Sequence, residues 1–136
     1  YKECAMIAVD TNILVRYITN DDKEQALLAT TLLDSYIGKE KSIFINNIVL
    51  CELVWVLVRG YKYQKEDIIK TLKLLLSSIE FEFENHELAF LAVIEYEKAE
   101  ADFSDILIGL LNHYRNCKVT YSFDQKALKL KYFKKL

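Results

Sequence analysis

The sequence predicts a parallel α/β domain, a sheet of short strands covered on both faces by helices. Three observations predict it. Short apolar runs suited to buried strands alternate with longer segments of helical apolar spacing, often two helices to a crossover. The 136 residues contain no proline and three glycines, so connections are short and few segments are broken. Hydrophobic residues make up 52% and charged residues 28%, the balance of a globular chain and not of a disordered or collagen-like one.

Each element follows in order. Met6 to Val9 reads as a buried strand ending at Asp10. Thr11 to Ile18 is a first helix. Asp21 or Asp22 caps a second helix reaching about Ile37, with apolar positions 28, 29, 32, 33 and 36 and Gly38 as its C-terminal cap. Ser42 to Ile45 is a second strand. Ile48 to Val58 is rich in β-branched residues and would suit a strand by propensity. Its length, Asn46 or Asn47 as a cap, and Arg59-Gly60 at its end favour a helix. Residues 65–77 put Ile68, Ile69, Leu72, Leu75 and Leu76 on one helical face. Phe81 to Phe83 is a third strand, and 86–100 and 104–116 are helices. Lys118 to Ser122 is a fourth strand, Gln125 to Leu130 a last helix, and Phe133 opens a fifth strand. A single domain over 6–136 is expected. Met6, the sole methionine, marks the natural start, with Tyr1 to Ala5 as upstream or added residues.

Composition also excludes some roles. The longest strongly apolar stretch, Ile48 to Val58, is far shorter than the roughly 20 residues a membrane helix needs and contains Glu52. No secretory leader is legible. Cys4, Cys51 and Cys117 are scattered and odd in number, which suits a reducing cytoplasm. The net charge of −2 does not mark a nucleic-acid binder, yet residues 118–136 carry six lysines and one acid, Asp124. That tail is either a seat for a polyanion or a solvated surface.

In parallel α/β folds, functional groups gather beyond the carboxyl ends of the strands. Asp10 follows the first strand and Asp124 the fourth. Glu52 is the only charge between Ile48 and Val58, and burying it unpaired would cost several kcal/mol. Asp102 and Asp105 share a face at a helix start. Each acid has a plain alternative: Asp10, Asp102 and Asp105 as helix caps, Glu52 as part of one exposed stripe. Together they map to one sheet edge, where clustered carboxylates would repel unless a cation joined them. His86 and His113 stand alone and no Cys-x-x-Cys exists, so the donors are oxygens, which favours Mg²⁺ or Mn²⁺. Such ions activate water against phosphate esters.

Four segments then resemble the PIN-domain family, VapC-type toxins in particular: Ile7 to Tyr17, which contains Asp10-Thr11-Asn12; Val49 to Leu57 around Glu52; Ala101 to Gly109, with Asp102 and Asp105; and Tyr121 to Ala127, with Ser122 and Asp124. They come in family order and span nearly the whole chain from Met6. The resemblance implies a three-layer α/β/α sandwich around a parallel sheet of four or five short strands. It also implies an endoribonuclease using Mg²⁺ or Mn²⁺. Carried over by position, Asp10, Glu52, Asp105 and Asp124 form the acid quartet and hold the metal. Thr11, Asn12 and Ser122 support it, and Asp102 matches a commonly acidic position. Serine at 122 replaces a frequent threonine and keeps the hydroxyl. A homodimer and a neutralising antitoxin are implied as partners. Lys126 and Lys129 would guide the RNA backbone, and Tyr121 or Tyr132 would stack bases.

Other readings are weaker. A dehalogenase-type phosphatase wants Asp at position 12, which is Asn. A receiver wants Asp after the third strand, where Glu84-Asn85 stands. A housekeeping RNA-processing nuclease of the same family and a non-catalytic RNA-binding module remain the alternatives.

Overall fold

The computed structural model describes residues 6–136, and the reading of Tyr1 to Ala5 lies outside them. Two compact units divide the chain, one ending at Asn85 and the other running His86–Leu136.

In the first unit, β1 (Ile7–Ala8), β2 (Ile43–Ile45) and β3 (Phe81–Phe83) form a parallel sheet with β2 in the middle. Ile7 pairs with Ile43, and Ile43 with Phe81. Each crossover holds two helices: α1 (Thr11–Thr19) and α2 (Lys23–Asp34), then α3 (Asn47–Arg59) and α4 (Lys65–Ser77). Helix α3 settles the strand-or-helix ambiguity. The Asn46 side chain accepts the Val49 N–H at 2.9 Å, and the Gly60 N–H closes on the Val56 carbonyl at 2.7 Å. Its inward positions Val49, Leu50, Leu53, Val54 and Leu57 are all buried. Each such aliphatic side chain contributes about 1.5–3 kcal/mol.

Helix α2 departs from the sequence reading. Asp22 caps it, accepting the Gln25 N–H at 3.1 Å. Asp21 instead joins a polar cluster with Arg16, Thr19 and Tyr61. That cluster holds the Asp21 carboxyl below its ordinary value, the Tyr61 hydrogen bond being the largest cause. The helix ends at Asp34, not Ile37, because the N–H groups of Tyr36 and Ile37 turn back to carbonyls three residues earlier, those of Leu33 and Asp34. Gly38 lies past that turn at φ +83° and is not the cap. The buried face is Ala26, Ala29 and Leu33, while Leu28 is 66% exposed. Small residues let α2 approach α1, so Leu28 and Leu32 of the predicted face point outward while Ala29 and Leu33 stay buried.

In the second unit, α5 (His86–Lys98) packs on α6 (Phe103–Tyr114). Strands β4 (Thr120–Ser122) and β5 (Phe133–Lys135) pair in parallel, Thr120 opposite Phe133. Between them the expected last helix is a single 3₁₀ turn, Ala127–Lys129. Phe103 is fully buried and meets Tyr96 edge to face at 5.8 Å. Gly109 leaves room for Phe133: a Cβ there would lie 2.5 Å from the Phe133 ring. Gly109→Ala is therefore expected to destabilise the protein by about 1–3 kcal/mol. A lowered midpoint in urea unfolding checks this.

Candidate active site

Asp10 stands directly beyond the carboxyl end of β1, in extended backbone at φ −85°, and is the N-cap of α1. Its Oδ1 accepts the Thr11 N–H at 2.7 Å. The capping role and the exposed position at the strand end thus coincide in one residue. Thr11, by contrast, is buried, and its hydroxyl donates to Glu52 Oε1 at 3.1 Å. This bond ties the start of α1 to the second turn of α3. Asn12 is exposed on α1.

Glu52 corrects the sequence argument. It is not buried. It lies on an exposed stripe of α3 with Ile48, Trp55 and Arg59. The carboxylate needs no metal to meet a desolvation cost, because it keeps its water. What distinguishes it is its tie to Thr11.

In the second unit, Asp102 is the N-cap of α6, with no hydrogen bond from its side chain to the helix, and Asp105 is in the first turn. The Asp105 carboxyl is raised above its ordinary value, by partial burial first and then by the charges of Asp124 and Asp102. These three acids therefore feel one another. Asp124 follows β4, and its Oδ1 accepts the N–H groups of Lys126 and Ala127 at 2.9 and 3.0 Å. The Asp124 N–H donates to the Ser122 hydroxyl at 2.9 Å, so Ser122 holds the loop that presents the acid.

The raised Asp105 carboxyl makes a sign prediction. The folded chain binds this proton more readily than the unfolded one, so ionising Asp105 costs stability above its raised titration point. The cost is gone once the pH falls below the unfolded carboxylate value. Asp105→Asn is expected to raise the melting temperature in EDTA at neutral pH, by less as the pH falls through the carboxylate range. Thermal melts at pH 7 and in acid check it.

The other candidate groups are less suited to chemistry. Burial pushes the Cys51 thiol up to about 11, so it is no thiolate nucleophile at neutral pH. His113 stacks on Tyr132 with ring centroids 3.7 Å apart, which engages both rings. Tyr132 is therefore a poor base-stacking candidate, whereas Tyr121 is exposed. Among the described residues, no group of three or more His, Cys, Asp or Glu side chains is already arranged to hold a metal ion. The donors each unit offers are carboxylates, the hard oxygen ligands that divalent cations of the magnesium type take. The mutual repulsion at Asp105 is what such a cation relieves. The candidate set fits the ion in its chemistry.

A PIN domain profile matches residues 7–133. The chain belongs to the PIN domain family. The match runs from β1 to the start of β5 and includes every candidate acid. The family's fold is the parallel α/β/α class, and both crossovers of the β1–β3 sheet follow it. This PIN domain is also 26% identical over 125 residues to a VapC ribonuclease of Aquifex aeolicus (strain VF5), covering 92% of each chain. Among the described residues, no helix is long and apolar enough to cross a membrane.

Proposed function

We propose that this PIN domain is a metal-dependent endoribonuclease, the toxin of a toxin–antitoxin pair, acting as a single domain over residues 6–136. The likeness to a VapC ribonuclease along nearly the whole of both chains carries the reading. Acids placed just past β1 and β4, the ends where such folds keep their chemistry, support it.

Asp10, Glu52, Asp105 and Asp124, the acids that match the PIN-domain pattern by position, are the proposed ligands of Mg²⁺ or Mn²⁺. When bound, the ion lowers the pKa of a water and stabilises charge on the phosphate and the leaving oxygen. Thr11 fixes the Glu52 carboxylate so that one oxygen stays directed. Ser122 and the backbone around Lys126 orient Asp124 in the same way. Asn12 and Asp102 support the site. Water adds to phosphorus, and the 3′ oxygen leaves and takes a proton, giving 5′-phosphate and 3′-hydroxyl ends. The exposed Lys126 suits a single-stranded RNA, whose backbone can bend toward the acids.

A cognate antitoxin, a homodimer and a cytoplasmic location belong to the same proposal. The free thiols Cys51 and Cys117 suit a reducing compartment. End-group analysis tests the chemistry. Single-stranded RNA incubated with the purified protein and Mn²⁺ is expected to yield fragments that carry 5′-phosphate. Fragments with 2′,3′-cyclic phosphate would contradict a metal-activated water.

A further inference from the structure

Helix α3 turns its apolar residues inward and leaves Ile48, Glu52, Trp55 and Arg59 along one outer stripe. Trp55 is the only tryptophan of the chain, and it is 63% exposed. A large indole left in water on an otherwise well-buried helix is the kind of exposed apolar group that marks a contact surface. Its neighbours define the contact. Glu52 lies three residues before it and Arg59 four after, spacings that bring Cβ atoms to about 5–6 Å on a helix. The Glu52 carboxylate is held by Thr11. An aromatic face thus stands between a fixed carboxylate and a guanidinium.

We propose that Trp55 stacks a base of the single-stranded RNA beside the reacting phosphate, and that Arg59 takes a neighbouring backbone phosphate. The proposal rests on the nuclease reading and names the substrate contacts of its first unit. Along the axis, Trp55 is about 4.5 Å and Arg59 about 10 Å beyond Glu52, a reach of one to two nucleotides from the acid. Aromatic stacking combined with a cation on the backbone is how single strands are held without sequence readout. The neighbours choose RNA as the occupant: Glu52, a proposed ligand of the ion, lies one turn away, and the Arg59 guanidinium matches a backbone phosphate. Of the two tyrosines that the sequence offers for stacking, Tyr132 is already covered by His113, and Trp55 joins the exposed Tyr121 as a candidate.

A sole tryptophan makes its own emission the probe. Single-stranded oligouridine RNA is titrated into the Asp10→Asn protein, which binds without cleaving, and inorganic polyphosphate serves as a charged strand without bases. RNA is expected to quench the emission and polyphosphate to leave it unchanged. In the otherwise unaltered enzyme, Trp55→Ala is expected to raise KM about tenfold or more with kcat nearly kept, and Trp55→Phe to restore most of the affinity. Arg59→Ala should lower the salt dependence of binding by about one phosphate contact. Emission indifferent to RNA, or wild-type KM in Trp55→Ala, overturns the proposal. So does emission that changes with protein concentration alone while Trp55→Ala turns a dimer into a monomer, since a second copy then covers the indole. No cleavage of single-stranded RNA by the parent protein with Mn²⁺ would overturn the nuclease reading instead.

Discussion

Asp10→Asn is expected to abolish RNA cleavage while leaving the fold intact. Asparagine is as good an N-cap as aspartate, so the Thr11 N–H keeps its acceptor and α1 its start. Thermal stability is expected to stay within about 1 kcal/mol of the parent. What is lost is a negative oxygen for a divalent cation. Removing one electrostatic contact to a transition state costs about a hundred- to a thousandfold in kcat, and a lost metal ligand costs at least that. The variant thus separates structure from chemistry at a single residue. Initial rates on a labelled single-stranded RNA, with circular dichroism melts of the same preparations, check it. Parent-like cleavage by a clean preparation would remove Asp10 from the chemistry.

Chelation produces the second large effect. With EDTA in excess, cleavage is expected to fall to background, and millimolar Mg²⁺ or Mn²⁺ to restore it. The same ions raise the melting temperature, because a ligand bound only by the folded state stabilises it by about 2.7 kcal/mol at a hundredfold excess over Kd. The acids supply the physical reason. Burial first, and then the charges of Asp124 and Asp102, push the Asp105 carboxyl up, and a cation reverses the part that is repulsion. Activity also falls in acid, since Asp105 must lose its proton to bind a metal and holds it to a higher pH than an ordinary aspartate. Rates measured from neutral pH downward at saturating Mn²⁺ check the direction. Cleavage indifferent to EDTA would contradict the account.

The helices and strands were legible wherever local rules and packing agree. Residues 65–77 form a helix over the predicted range, because Ile68, Leu72, Leu75 and Leu76 give an unmistakable buried face. Helix α3 was readable from its caps despite its β-branched content. Helix α2 misled because its contact face is built from alanines, and side-chain bulk says nothing about how closely two helices approach. The segment after Asp124 is a 3₁₀ turn because the N–H groups of Lys129 and Leu130 close on carbonyls three residues earlier, those of Lys126 and Ala127. Of the site, the acids at strand ends could be found from their position after apolar runs. Whether Glu52 is buried or on an exposed stripe stayed open in the sequence, since one charge in an apolar segment suits both, and the structure takes the stripe. The stripe itself was visible in the 3.6-residue spacing of Ile48, Glu52, Trp55 and Arg59, and Trp55 was overlooked because an aromatic in an apolar helix is ordinarily core.

The central claim is that this PIN domain takes up a divalent ion through the acids proposed as its ligands, Asp10 and Asp105 among them. Mn²⁺ titration followed by electron paramagnetic resonance of the free ion tests it most directly, on the parent, Asp10→Asn and Asp105→Asn. The account predicts saturable binding by the parent and a weakening of about tenfold or more in both variants. Parent-like Mn²⁺ affinity in either variant would contradict it.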